Sequence, residues 1–344
     1  MFAAIEAGTR RYATPISPLE FLVSDPGQDD DLTDARKVRI FEGDPLLFWR
    51  LAANLQEVIW DFTLVSTNAQ GIRYPRPVGP KAERAIRIVA VGDSVTFGYR
   101  VPVIWADHPE TYDRGAQSYP ELLEEWLSAA NPALTLEVIP LAVPGYSSHQ
   151  GRLWLERDIG DLDPDLVTAC FGWNDVARRL VPDAEAMAGG IGPYLRAVTT
   201  RSQSLMHLAL WLRPRPASTE SSQSRARTSR EEFLENHVAM GRLARAHGAG
   251  FLAIGSVYRD RETAPYEASQ LDSYRDALRA AMAEAGERYL EISTLTPSAF
   301  PATQPLFGDA IHPNAKGHAV FAGAVLRALA EDEQLLRGVT LPVD

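Results

Sequence analysis

The run Ala85-Ile-Arg-Ile-Val-Ala-Val-Gly-Asp-Ser-Val-Thr-Phe-Gly98 constrains this chain more than any other stretch. Ile86, Ile88, Val89, Ala90 and Val91 make a short, mostly β-branched apolar segment without proline, the pattern of a parallel strand buried on both faces. Gly92 ends it. A Gly-Asp-Ser at the carboxyl end of such a strand puts a hydroxyl at a tight strand-to-helix corner, the edge where open α/β sheets hold their ligands. Taken alone, Ser94 reads equally well as the cap of the following helix, so the rest of the chain has to decide.

Two more strands end in the same way. After a helix opened by the capping box Ser118-Tyr-Pro-Glu121, with Tyr119, Leu122, Leu123, Trp126 and Leu127 on one face, a second strand is expected over Leu134–Leu141. It runs into Ala142-Val-Pro-Gly-Tyr-Ser-Ser148, where Gly145 can offer a bare backbone N–H, and a helix follows to about Leu162. A third strand, Asp165–Phe171, runs into Gly172-Trp-Asn-Asp175. Later come the capping box Ser229-Arg-Glu-Glu232, a helix to His247, a strand Phe251–Val257, a helix from about Ser269 to Ala285 and a short strand Tyr289–Ile292. The alternation predicts an α/β fold with a five-stranded parallel sheet. The last block, Gly308-Asp-Ala-Ile-His-Pro-Asn-Ala-Lys-Gly317, places His312 just ahead of a helix whose first turn suits Pro313. His312 is expected exposed there, with Asp309 one turn of chain away from its Nδ1.

What flanks these blocks is less regular. Residues 1–36 are polar and turn-rich, with an acidic run at Asp29–Asp31, and read as an irregular arm. Residues 37–84 read as a small β-containing extension, because Val58, Trp60, Phe62 and Leu64 alternate with their neighbours as in one strand. Trp49 and Trp60 there fit a core, with carbohydrate binding as the alternative. Residues 85–335 form the main domain, with insertions at 99–117 and 176–229 expected to shape a pocket. Within the second, Ser204–Arg213 is short and apolar, and a hairpin touching a membrane is the rival to a pocket wall.

Composition narrows the function. With 34 basic and 45 acidic residues the chain carries −11, which repels phosphate backbones, so a nucleic-acid partner is not expected. The lone Cys170 lies in an apolar run and is read as a small buried hydrophobe. No apolar run approaches the ~20 residues of a membrane span, and the first residues lack a signal-peptide core. The expectation is a cytoplasmic protein without stable membrane insertion, or a secreted one if a leader has been removed. The oligomeric state is left open.

Ester hydrolysis needs a nucleophile, a base, a group that orients the base, and donors for a developing oxyanion. Ser94, His312 and Asp309 supply the first three, and the N–H groups of Ser94 and Gly145 with the Asn174 amide supply the fourth. Asp93, Trp105 and Trp173 are candidate substrate contacts. The four blocks Gly92-Asp-Ser94-Val, Gly145, Gly172-Trp-Asn174-Asp and Asp309-Ala-Ile-His312 resemble the SGNH hydrolase superfamily, the GDSL esterases and lipases, over about residues 85–335. The resemblance implies a flavodoxin-like three-layer α/β/α sandwich, a Ser94, His312 and Asp309 triad, and an oxyanion hole completed by Gly145 and Asn174. It also implies no metal or organic cofactor and a small-molecule ester as partner, expected to carry an acetyl or a short to medium acyl group. Three alternatives stand beside it. One is an O-acyltransferase or deacetylase of a sugar or secondary metabolite. Another is a non-catalytic binding protein on the same fold. The third is a metal site from Asp93, Asp309 and His312.

Overall fold

The apolar run before Ser94 is an inner strand of a five-stranded sheet in the computed structural model, which describes residues 2–13, 16, 40–102, 115–179, 181–188, 192–212, 224–259, 265–292 and 306–342. Two compact units divide the chain: Met1–Pro75 with Arg178–Arg227, and Arg76–Ala177 with Thr228–Asp344. The first unit begins with helix α1 (Phe2–Tyr12), the hairpin β1 (Phe41–Asp44) and β2 (Phe48–Leu51), and the hairpin β3 (Val58–Trp60) and β4 (Thr63–Val65). The second opens with β5 (Ala85–Gly92), α2 (Ser94–Phe97), α3 (Tyr119–Ala130), β6 (Thr135–Ala142), α4 (Ser148–Leu162), β7 (Leu166–Phe171) and α5 (Trp173–Val176). The chain then returns to the first unit as β8 (Arg178–Arg179), α6 (Asp183–Met187), α7 (Gly192–Thr199), α8 (Gln203–Leu212) and β9 (Arg225–Ala226). It finishes in the second with α9 (Arg230–Ala246), β10 (Gly250–Gly255), α10 (Pro265–Ala285), β11 (Arg288–Leu290) and α11 (Ala315–Glu331).

The sheet order is β11-β10-β7-β5-β6, all parallel. This is the doubly wound order whose reversal falls between the first and third strands, here β5 and β7, and ligands of such sheets bind beyond the carboxyl ends at that point. Register makes the ends flush. Gly92 pairs with Ala142 of β6 on one side and with Cys170 of β7 on the other, so the three following turns leave the sheet at one level. Val89, Ala90 and Val91 are fully buried, and Ile88 joins Leu123, Leu127, Leu166, Ile254, Phe321 and Val325 in one core cluster. Each such side chain contributes about 1.5–3 kcal/mol by leaving water. Helices flank the sheet, α3 packing on α11, and α9 on both α4 and α10, as an α/β/α architecture requires. Cys170 is buried, as its apolar neighbours imply.

The first unit departs from expectation. Residues 2–12 are helical rather than irregular, because Glu6 and Thr9 of α1 bond the start of α8 and so give the polar helix a partner. Asp29–Asp31 lie outside the described residues. The alternation from Val58 to Val65 is two strands, not one. Asp61 and Phe62 both take positive φ, 43° and 61°, and Trp60 pairs with Thr63 across the two-residue turn, as a primed hairpin demands. Trp49 and Trp60 are buried, which removes them as exposed sugar platforms. The 178–227 excursion packs with the N-terminal segment, Ala197 and Thr200 of the α7 segment lying against Gly43 of β1.

Candidate active site

Ser94 stands at the corner its sequence suggested, but it is not the cap of the next helix. Asp93 takes that role: its Oδ1 accepts the Val95 N–H at 2.9 Å, and Ser94 becomes the first residue of the one-turn α2. Gly98 closes α2 in the left-handed conformation. The hydroxyl is thereby left for another partner, and it finds one 218 residues along the chain. His312 Nε2 lies 2.8 Å from Ser94 Oγ.

The loop that delivers His312 is built around Asp309. Its Oδ1 accepts the N–H groups of Ile311 and His312 at 2.9 and 2.8 Å, folding the chain into a tight turn, and its Oδ2 lies 2.7 Å from His312 Nδ1. Gly308 N–H donates to His312 O, Asn314 N–H donates to Leu306 O, and Arg259 N–H donates to Ala310 O, which ties the loop to the chain leaving β10. Asn314 caps α11, so Pro313 precedes that helix rather than entering its first turn. His312 is buried, at 9% exposure, and not exposed as its position before a helix suggested. The ring of Tyr99 covers it edge-on at 4.6 Å between centroids. Burial alone raises the Asp309 carboxyl, but the bond to His312 and the two backbone N–H groups outweigh this and hold it well below the usual carboxylate range. An ionised Asp309 keeps the proton on Nδ1 and leaves Nε2 free to accept from the serine hydroxyl.

Gly145 and Asn174 occupy the other two turns at the same sheet edge. Gly145 takes φ +84° and Gly172 φ +152°, conformations that L side chains rarely adopt, and a Cβ on Gly172 would also meet Leu271 at 2.6 Å. These glycines give their turns a path that other residues resist. Asn174, in α5, donates from Nδ2 to Asp93 Oδ2 at 3.2 Å. Asp175 fixes α5 from below by accepting the Ser148 N–H and hydroxyl at 3.0 and 2.6 Å. Asp93 is almost completely buried, and burial pushes its carboxyl up to about 6 against the Val95 N–H, the nearby His312 and the Asn174 amide. Of the candidate substrate contacts, Asp93 is thus a buried neighbour of Asn174. Trp173 begins α5 and tilts toward Tyr258 at 6.5 Å, and Trp105 lies outside the described residues.

The sequence did not point to Tyr99 and Arg100. Arg100 Nη1 donates to Asp309 Oδ2 at 3.1 Å, and its guanidinium lies over the Tyr99 ring at 5.2 Å. Their only sequence signal is adjacency to the Gly98 turn. Among the described residues no group of three or more His, Cys, Asp or Glu could hold a metal ion. An imidazole that accepts a serine hydroxyl at one nitrogen and is held by a carboxylate at the other can take the serine proton as the oxygen attacks an acyl carbon.

The GDSL-like lipase/acylhydrolase family matches residues 90–320, more than half of the chain. None of the curated proteins compared matches it. Similar solved structures include an α/β hydrolase enzyme from the metagenome of Lake Arreo, Spain, 19% identical, covering 74% of this chain and 98% of its own, with a TM-score of 0.47. Another is an acetyl-xylooligosaccharide esterase from Geobacillus stearothermophilus, 16% identical, covering 75% and 99%, with a TM-score of 0.47. A third is a lipase/acylhydrolase from Enterococcus faecalis, 16% identical, covering 72% and 96%, with a TM-score of 0.45. With the family match lying across the segments that hold Ser94, Asn174, Asp309 and His312, the chain belongs to the GDSL-like lipase/acylhydrolase family and is a carboxylic ester hydrolase.

Proposed function

We propose that Ser94 is the nucleophile, His312 the base and Asp309 the orienter of a serine esterase that works through an acyl-serine. The observation that carries this reading is the unbroken chain Asp309 Oδ2, His312 Nδ1, His312 Nε2, Ser94 Oγ, at 2.7 and 2.8 Å. Ser94 Oγ adds to the ester carbonyl carbon while its proton passes to His312 Nε2. The imidazolium so formed is stabilised by Asp309, and the carbonyl oxygen becomes an oxyanion. Ser94 N–H, Gly145 N–H and the Asn174 amide are the proposed donors to it, and the flush ends of β5, β6 and β7 support this convergence. His312 then gives the proton to the leaving alkoxide, and the acyl group stays on Ser94. Water, deprotonated by His312, attacks the acyl carbon, and the acid leaves as Ser94 takes the proton back. The substrate proposed is an ester of acetate or of a short to medium acyl chain.

Hydrolysis of p-nitrophenyl esters tests the reading. Ser94→Ala is expected to lower kcat roughly 10⁴–10⁶-fold on p-nitrophenyl acetate, and Asn174→Ala roughly 10²–10³-fold. A Ser94→Ala protein that keeps the parent rate would refute it. Activity that falls as the acyl chain lengthens from acetate supports the proposed substrate, and a preference for long chains overturns that part.

A further inference from the structure

The first unit carries three helices that leave large apolar side chains facing away from the body they pack on. In α1 the polar side turns inward: Glu6 accepts the Ser202 hydroxyl at 2.6 Å and the N–H groups of Gln203 and Ser204 at 3.0 Å, while Phe2 and Ile5 are left more than half exposed. The α7 segment buries the small Ala197 and Thr200 and leaves Leu195 and Val198 more than half exposed. α8 buries Gln203 and Met206 and leaves Trp211 at 80% and Leu212 at 63% exposure. The helices are contiguous, since α8 packs on both α1 and α7. A surface helix ordinarily does the reverse, and exposed apolar surface of this extent marks an interaction face.

Charge indicates what that face meets. From Gly192 to Leu212 the sequence carries Arg196 and Arg201 and no Asp or Glu, in a chain whose net charge is −11. α1 adds Arg11 in its last turn, while Arg10 beside it pairs with Glu6 at 2.7 Å. Exposed aromatic residues accompany the arginines: Tyr12, Tyr194 and Trp211 each pair an apolar ring with a polar tip, the type enriched at the level of lipid headgroups. Among the described residues no helix is long and apolar enough to cross a membrane. A basic, aromatic, outward-facing apolar surface without a spanning helix fits attachment in the plane of a bilayer. A second copy of the chain fits worse, because a two-fold contact would set this cationic face against itself.

We propose that α1, α7 and α8 dock this protein on an anionic lipid surface, with Trp211, Leu212, Leu195 and Ile5 entering the headgroup–acyl boundary and Arg11 and Arg201 facing lipid phosphates. The proposal stands apart from the ester chemistry, since all of these residues belong to the unit that does not hold Ser94. Co-sedimentation of the intact chain with vesicles tests it, using phosphatidylcholine alone and phosphatidylcholine containing phosphatidylglycerol, each at low and high salt. Binding is expected to the anionic vesicles and to weaken with salt. The exposed double substitution Trp211→Ser with Leu212→Ser is expected to cut partitioning roughly tenfold or more. Arg11→Gln with Arg201→Gln is expected to cut it roughly fivefold per arginine. Both variants are expected to hydrolyse p-nitrophenyl acetate at the parent rate. Absence of binding to anionic vesicles, or equal and salt-insensitive binding to both lipids, overturns the proposal. So does a dimer in sedimentation equilibrium that the Trp211/Leu212 variant splits.

Discussion

Replacing Asp93 by asparagine is expected to make the protein more stable and less active at once. Asp93 is 2% exposed, and its carboxyl is pushed up from 3.8 to about 6 because burial penalises its charge. A raised folded-state value means that the protonated form supports folding: this contribution is complete below the unfolded value and is lost as pH rises through about 6. At about 1.4 kcal/mol per unit, a shift of about 2 units costs about 3 kcal/mol at neutral and alkaline pH. The neutral amide escapes that cost and can still accept the Val95 N–H. It gives up the anionic acceptor for Asn174 Nδ2, a bond already netted off in that rise. The gain is therefore about 3 kcal/mol at about pH 8, about half of that at about pH 5, and fades toward the unfolded value. Activity should move the other way. On the proposed mechanism, an Asn174 amide that has lost its anionic anchor donates less well to the oxyanion, and a fall in kcat of roughly 10–10² is expected. Urea unfolding at the two pH values and kcat on p-nitrophenyl acetate decide the matter. An Asp93→Asn protein less stable than the parent at the higher pH, or one with unchanged kcat, would refute the reasoning.

Other residues give further expectations. Asp309→Asn should lower kcat roughly 10³–10⁴-fold with little change in KM, because an amide no longer fixes the His312 tautomer; steady-state kinetics would show it. His237 is fully buried between Phe171 and Phe233, donates from Nδ1 to Phe233 O at 2.8 Å, and burial lowers it from 6.5 to about 4. The unfolded chain therefore takes up a proton that the folded chain refuses between those values, so about 3 kcal/mol of stability is lost as pH falls from 6.5 to about 4. His237→Gln should flatten that part of the stability curve measured by urea unfolding. Arg87, 1% exposed, donates to Glu137 Oε2, Leu162 O and Gly79 O. Arg87→Met strands all three acceptors and should cost about 3–5 kcal/mol in urea unfolding while leaving kcat/KM of the folded fraction unchanged.

Much of the second unit was legible because each level of its sequence agrees with the next. Four apolar strands and a short fifth, with capping boxes at Ser118 and Ser229 that both form as read, set the alternation of strand and helix, and three of the polar blocks fall where β5, β6 and β7 stop. Asp309 and His312 were visible as a pair because one carboxylate three residues ahead can bond both the backbone and the imidazole. The burial of His312 was not, since Tyr99 and the Arg100 contact with Asp309 bridge more than two hundred residues. Nor was the capping box of α4, whose Gln150 reaches back to Ser147 in place of the commoner Glu. The first unit was harder to read for a related reason. The break at Asp61–Phe62 rests on two non-glycine residues in positive φ, and α1 forms on polar contacts with α8 rather than on an inward apolar stripe.

Covalent capture of the serine tests the central assignment most directly. A fluorophosphonate given to the intact chain should add once, to Ser94 in the Ser94-containing peptide by mass spectrometry, and the label should fall sharply in His312→Ala, where no base remains to take the hydroxyl proton. A protein that hydrolyses p-nitrophenyl acetate yet carries no adduct on Ser94, or carries it undiminished in His312→Ala, would contradict the account.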